Sequence, residues 1–221
     1  FYFSDGDNFT GDPVIDRYDP PGQPMLELLA HLRLDVMSVG NHEFDYGLAA
    51  LRRLAARFPM VSANIDPPPG VFPELRPWIE LKTRTGLKVI VFGLIQIEPG
   101  SQMPAAHPDK IKELRFREPL SLVPELKKLR SKGQVLIALS HLGHDQDRLL
   151  AGAMPEIDVI VGGHSHTRIN PAIEVNGVLV TQAGSDNQFL GRIDLRVRNG
   201  RVVEKSGRLI DLGPALPEDE T

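Results

Sequence analysis

The sequence predicts an α/β fold in which two sheets pack together with helices outside. Three observations predict it. Over the first two thirds, apolar runs of strand length alternate with segments of helical periodicity. The last third is almost all strand-like and carries two Asn-Gly turns. Polar, ligand-type residues gather where apolar strands end, the edge at which open α/β sheets bind ligands.

Phe1 to Ser4 reads as a short strand, followed by the Gly- and Asp-rich loop Asp5 to Gly11, suited to close backbone approach. Asp16 to Pro24, with three prolines, is expected to be irregular. Met25, Leu26, Leu28, Leu29 and Leu32 recur at helical spacing, so a helix is expected to about Arg33. Asp35 to Val39 reads as a buried strand, and Gly40-Asn41-His42-Glu43-Phe44-Asp45 as the loop leaving it. Tyr46 to Phe58 is helix-patterned, with Leu48, Leu51, Leu54 and Ala55 inward, and Pro59 ends it. Strands follow at Met60 to Ile65, Trp78 to Thr83 and Leu87 to Ile97. Glu98 to Phe116 is polar and is expected to loop over the surface. Pro119 to Ser131 reads as an amphipathic helix, Val135 to Leu139 as a central strand, Asp145 to Ala153 as a helix and Ile157 to Val161 as a buried strand. Hairpins are expected at 173–182 and 193–209, turning at Asn176-Gly177 and Asn199-Gly200. The division expected is one domain over 1–213 and an acidic tail or start of a linker over 214–221.

The 221 residues suffice for one large domain with a substantial core. A net charge of -4 argues against a nucleic-acid polymer as partner, which calls for a clustered basic surface. No apolar run reaches the roughly 20 residues needed to span a bilayer. The chain has no Cys, so any metal must be held by His, Asp, Glu or Asn, and the redox compartment stays open.

Four strand ends carry matching chemistry: Gly6-Asp7, Asn41-His42, Ser140-His141 and Gly162-Gly163-His164-Ser165-His166. Asp7, Asn41, His141, His164 and His166 together offer a carboxylate, an amide oxygen and three imidazoles, a mixed set suited to Zn, Mn, Fe, Co or Ni rather than Ca or Mg. Five ligands on one ion would leave little room for water, so two ions sharing Asp7 fit better. Two-metal sites about 3.5–4 Å apart clamp a phosphoryl group for in-line displacement. His42 is then free of metal to bind a phosphate oxygen or protonate the leaving oxygen, and Asp45 is placed to orient its ring. Each feature also has a plain reading. Gly-Asp loops are usually turns, and a His after an apolar strand is often a satisfied core residue. His31 and His107 read as ordinary surface. His144 is a weaker candidate for lining the cleft, and Asn64 reads as structural.

These residues resemble the calcineurin-like metallophosphoesterases, and within them the N-terminal metallophosphatase domain of the 5′-nucleotidase and UDP-sugar hydrolase type. The match runs through Ser4-Asp5-Gly6-Asp7-Asn8-Phe9-Thr10-Gly11, Gly40-Asn41-His42-Glu43-Phe44-Asp45, Ser62-Ala63-Asn64, Ser140-His141-Leu142-Gly143-His144, Gly162-Gly163-His164-Ser165-His166-Thr167 and Gln182-Ala183-Gly184. The resemblance implies a four-layer α/β/β/α sandwich with a dinuclear centre of divalent transition metals. It implies that Asp7 bridges, that Asn41, His141 and His164 complete one metal, that His166 joins Asp7 on the other, and that His42 with Asp45 is the catalytic pair. The family's first strand, and the Asp and His two apart that follow it, belong upstream of Phe1. Those residues complete the metal held here by Asp7 and His166. The C-terminal domain that gives such nucleotidases their base-stacking aromatics and substrate arginines lies outside the matching residues. The implied partner is a small phosphoester, and the implied location periplasmic or secreted, a cytoplasmic one remaining open. Two alternatives stand beside phosphomonoester hydrolysis: a non-catalytic metal- or partner-binding module, and cleavage of cyclic phosphodiesters or sulfur esters on the same scaffold.

Overall fold

The structure, a computed structural model, describes residues 1–9, 13–214 and 216. Thr10 and Gly11 of the first loop, and most of the 214–221 tail, lie outside the described residues. In chain order the elements are β1 (Phe3–Ser4), α1 (Pro13–Asp16), α2 (Gln23–His31), β2 (Val36–Ser38), α3 (Gly47–Arg57), β3 (Met60–Val61), β4 (Ile65–Asp66), β5 (Trp78–Lys82), β6 (Lys88–Ile95), α4 (Pro108–Ile111), β7 (Arg115–Phe116), α5 (Val123–Leu126), β8 (Gln134–His141), α6 (His144–Ala153), β9 (Val159–Gly162), β10 (Ile173–Val175), β11 (Val178–Gln182), β12 (Phe189–Arg198) and β13 (Arg201–Asp211).

One sheet is three-stranded and parallel, in the order β1-β2-β3. The other has six strands in the order β10-β11-β9-β8-β6-β5; its central strands are parallel and both edge strands antiparallel. Side chains alternate between the two faces of a strand. On β6, Ile90, Phe92 and Leu94 join a core shared with Leu122, Leu126, Leu150 and Met154 of the helical segments. Val89 and Val91 turn the other way, into a core with Val36 and Val61 of the smaller sheet. A third core lies between that sheet and α2 and α3, holding Leu29, Met37, Leu51, Leu54 and Met60. Three cores between four layers make the α/β/β/α sandwich. The β12–β13 ribbon turns Leu195, Val197 and Val202 into the core between the sheets.

Both expected hairpins form, with Asn176 and Gly177 at φ 49° and 79°, and Asn199 and Gly200 at 52° and 70°. Paired positive φ is what a two-residue turn of the favoured hairpin type requires. Three expectations change. Met60 to Ile65 is two short strands, because the wholly buried Asn64 side chain satisfies the backbone there: its amide binds the N–H and C=O of Ile95 and the C=O of Arg117 at 2.8–3.1 Å. The Pro119 to Ser131 helix is a 3₁₀ turn, α5 and a second 3₁₀ turn, with Pro124 interrupting the donor row. Glu98 to Phe116 contains α4 and β7 and buries Ile111 and Leu114.

Candidate metal centre

Strand alternation decides which side chains meet. On β8, Leu139 faces the smaller sheet, and so does His141 two residues on; Ser140 faces α6. The loop after β1 and the loop after β2 arrive from the opposite sheet. Gly6, at φ 100°, passes so close to the second loop that a Cβ there would lie 2.4 Å from Gly40 N. A Cβ on Gly40 would lie 2.3 Å from Asp7 Oδ1. Both glycines are therefore dictated by backbone packing at the site.

Asp7, His141 and His164 each bring a potential ligand atom, all within 4.8 Å of one another. Asp7 Oδ2 is 3.0 Å from His141 Nε2. Asn41 Oδ1 joins them, 3.2 Å from His141 Nε2 and 3.1 Å from His164 Nδ1. The amide is turned oxygen-inward because its Nδ2 donates to the Ala105 carbonyl at 3.3 Å. His141 Nδ1 donates to the Asp5 carbonyl at 2.8 Å, the kind of backbone acceptor that fixes the tautomer of a ligating histidine. This leaves the Nε2 lone pair facing two oxygens that also offer only lone pairs. Such a convergence needs a proton or a cation at its centre. Burial works against charge on His141, but Asp7 outweighs it and carries the imidazole up to about 9. Burial likewise opposes charge on Asp7, and its bond to His141 overcomes this and holds its pKa low. Burial and the neighbouring His141 keep His164 below its usual range. A carboxylate, an amide oxygen and two imidazoles fit a divalent transition ion.

His166 is exposed and outside this group, although close enough for its charge to depress His164. Asp7, His164 and His166 all have left-handed backbone, at φ 59°, 69° and 54°. Non-glycine residues in that region are uncommon and gather at functional sites. The two glycines before His164 admit one carboxyl each. A Cβ on Gly162 would lie 2.2 Å from Asp147 Oδ2, and one on Gly163 would lie 2.3 Å from Asp5 Oδ2. Burial pushes these carboxyls up to about 8 and about 7 respectively.

His42 N–H donates to Asp7 Oδ1 at 2.9 Å, which sets its ring beside the cluster and outside the ligand set. Its Nδ1 lies 2.6 Å from Asp45 Oδ2, and half of the His42 side chain is exposed. Partial burial opposes charge on His42, but the bond to Asp45 prevails and raises its pKa. The Lys110 ammonium donates to the Asp45 carbonyl. Of the remaining histidines, His107 caps α4 and His31 is exposed at the end of α2. His144 opens α6, with its N–H on Ser165 Oγ at 2.9 Å.

Two residues with structural weight at the site had no assigned task. Glu43, inside the Asn-His-Glu run, is fully buried, and Asp147, in a polar-looking helix, is too. The signal for Glu43 was its place between Asn41-His42 and the apolar Phe44; for Asp147 it was the Gly162 that makes room.

Known proteins share both this sequence pattern and this fold. A family model described as "Calcineurin-like phosphoesterase" matches residues 2–168. A 5′-nucleotidase of Vibrio cholerae serotype O1 is 31% identical over 94% of this chain and 42% of its own length. Protein UshA of Escherichia coli strain K12 is 30% identical over 94% of this chain and 43% of its own. This chain thus spans less than half the length of these curated relatives. The crystal structure of a 5′-nucleotidase precursor from Thermus thermophilus superposes with a TM-score of 0.81 at 28% identity, covering 96% of this chain and 45% of that one.

Proposed function

The chain belongs to the calcineurin-like phosphoesterase family, and on that premise we propose that it is a metal-dependent phosphoester hydrolase of the 5′-nucleotidase type, acting on nucleotides or related small phosphomonoesters. One observation carries this reading. Ligand-type atoms of Asp7, Asn41, His141 and His164 converge on one point, beside a half-exposed His42 held by Asp45.

Asp7, Asn41, His141 and His164 would hold one divalent ion, and Asp7 with His166 would hold part of a second; Mn, Zn, Fe and Co all suit the set. When bound, such ions supply a water-derived nucleophile at neutral pH and offset charge on the phosphoryl oxygens. The protein's own part is positioning and proton transfer. His141 keeps its Nδ1 proton on the Asp5 carbonyl, which aims Nε2 at the centre. Asp45 engages His42 Nδ1, leaving Nε2 to give a proton to the leaving oxygen. The raised pKa of His42 suits a residue that must start protonated. In this reading residues 1–213 act as the metallophosphatase domain, 214–221 begin a linker or tail, and the protein is exported. No helix among the described residues is long and apolar enough to cross a membrane.

The test is His42→Ala in the Mn-loaded protein, assayed on nucleoside monophosphates, other phosphomonoesters, phosphodiesters and cyclic nucleotides. Metal content is expected to stay at the wild-type level while turnover falls about 10²–10⁴-fold, the usual contribution of general acid–base help. Unchanged turnover would remove His42 from the mechanism. A wild-type protein inert on the whole panel would leave a binding module instead of an enzyme.

A further inference from the structure

Glu43 is not in the ligand set and does not face solvent, yet it is a fully buried carboxylate. Buried charge persists only where it is thoroughly hydrogen-bonded. Here the partners are backbone amides from two separate loops. Glu43 Oε2 accepts from Asp7 N at 2.7 Å and from Gly40 N at 2.6 Å. Oε1 accepts from Asn8 N at 2.6 Å, with Asn8 Nδ2 at 3.4 Å. Three of these contacts, at 2.6–2.7 Å, lie at the short end of the N–H···O range.

The loop that Glu43 grips carries left-handed backbone at Asp7. Gly6 is at φ 100° and Asp7 at 59°, so Asp7 occupies a conformation that an unbraced Asp would leave. In that conformation Asp7 Oδ1 receives the His42 amide and Oδ2 faces His141. Glu43 lies one residue from His42 and two from Asn41, so one carboxylate joins the loop carrying Asp7 to the loop carrying Asn41 and His42.

We propose that Glu43 is the positioning residue of the centre: its carboxylate locks the Asp7 loop onto the Gly40–Asn41 loop, so that Asp7 is presented for ligation before any cation arrives. The inference rests on the metal-centre reading given above. It adds that the Asp7 carboxylate is held in place by the protein and would not depend on an ion to order it. Ligands whose supporting partners are removed lose affinity for their metal, typically about 10–100-fold.

Two measurements test it. In the metal-free wild-type protein, hydrogen exchange at the amides of Asp7, Asn8 and Gly40 should be as slow as in the interior of β8. Exchange at the rate of open loops would overturn the proposal. In Glu43→Gln, an amide N–H₂ meets backbone donors where a carboxylate oxygen stood. Mn affinity measured by titration calorimetry should fall about 10–100-fold, and the visible spectrum of the Co-loaded protein should change. A residue that only stabilises the fold would lower the melting temperature and leave both readouts of the folded protein as they were, which would equally overturn the proposal. Should the variant not fold, the exchange measurement on wild type decides alone. Failure of the metal-centre reading looks different: wild type would bind no Mn, whatever the state of the clamp.

Discussion

Asp147 is completely buried, with Oδ1 accepting the Ser140 hydroxyl and Oδ2 without a partner among the described residues. Burial raises its pKa to about 8, so the folded chain holds a proton that the unfolded chain, with a carboxyl near 3.8, gives up. Linkage fixes the sign: this group stabilises the fold fully below about pH 4, and its contribution drains away as pH rises to about 8. Asp147→Asn keeps the shape without the charge. It should melt above wild type at pH 9 and show a much smaller gain at pH 5, with each 1 kcal/mol moving the melting temperature by about 2–4 °C in a chain this long. Equal effects at both pH values would mean that the carboxyl is not protonated in the fold. Asp7, Asn41, His141 and His164 were legible because strand ends collect ligands and their chemistry stands out against apolar runs. Glu43 and Asp147 were not. A carboxylate reads as surface by default, and only tertiary packing reveals that backbone amides or a neighbouring hydroxyl meet it indoors.

Strands and hairpins were the most legible elements, since the continuous apolar runs of β6 and β8 and the Asn-Gly turns are local signals. Contacts between elements are not local, and Gly93 illustrates this. It sits within the apolar run of β6, where nothing marks it for a task. In the structure the smaller sheet touches the larger one there: a Cβ on Gly93 would lie 2.1 Å from the Val61 carbonyl oxygen, and Ala63 N donates to Gly93 O at 2.7 Å. The obstruction is backbone, which cannot swing aside as a side chain does. Gly93→Ala should therefore cost about 1–3 kcal/mol, as overpacked cores do, read as a lower denaturation midpoint. A neutral result would show that β3 and β6 can separate without cost. The 98–116 segment was misjudged for a related reason. Its polar composition hides Ile111, Leu114 and the Ala105 carbonyl, and that carbonyl orients Asn41.

At the scale of the molecule, the site lies on the seam between the sheets. Asp7 and Asn41 come from loops of the three-stranded sheet, His141 and His164 from the ends of β8 and β9 in the six-stranded one. Below the site, Val36 and Val61 pack on Val89, Val91, Val135 and Leu139. An ion held by all four ligands would therefore pin the same two layers that this core joins, and its binding free energy would add to the stability of the whole sandwich. At 100 times its dissociation constant, a ligand of the native state contributes about 2.7 kcal/mol. For a chain of this size that corresponds to a rise of about 5–10 °C in melting temperature. Wild type titrated with Mn should show a rise of that size while keeping a single cooperative transition. His141→Ala removes the larger sheet's most buried candidate ligand, so its metal-free form should already melt lower. The decisive quantity is the further shift on adding Mn, which should largely vanish. If Mn raised only part of a divided transition, the sheets would be unfolding separately and the shared valine core would not be coupling them. If His141→Ala kept the full shift, the ion would be bound away from the seam, and the assignment of His141 as a ligand would have to be given up.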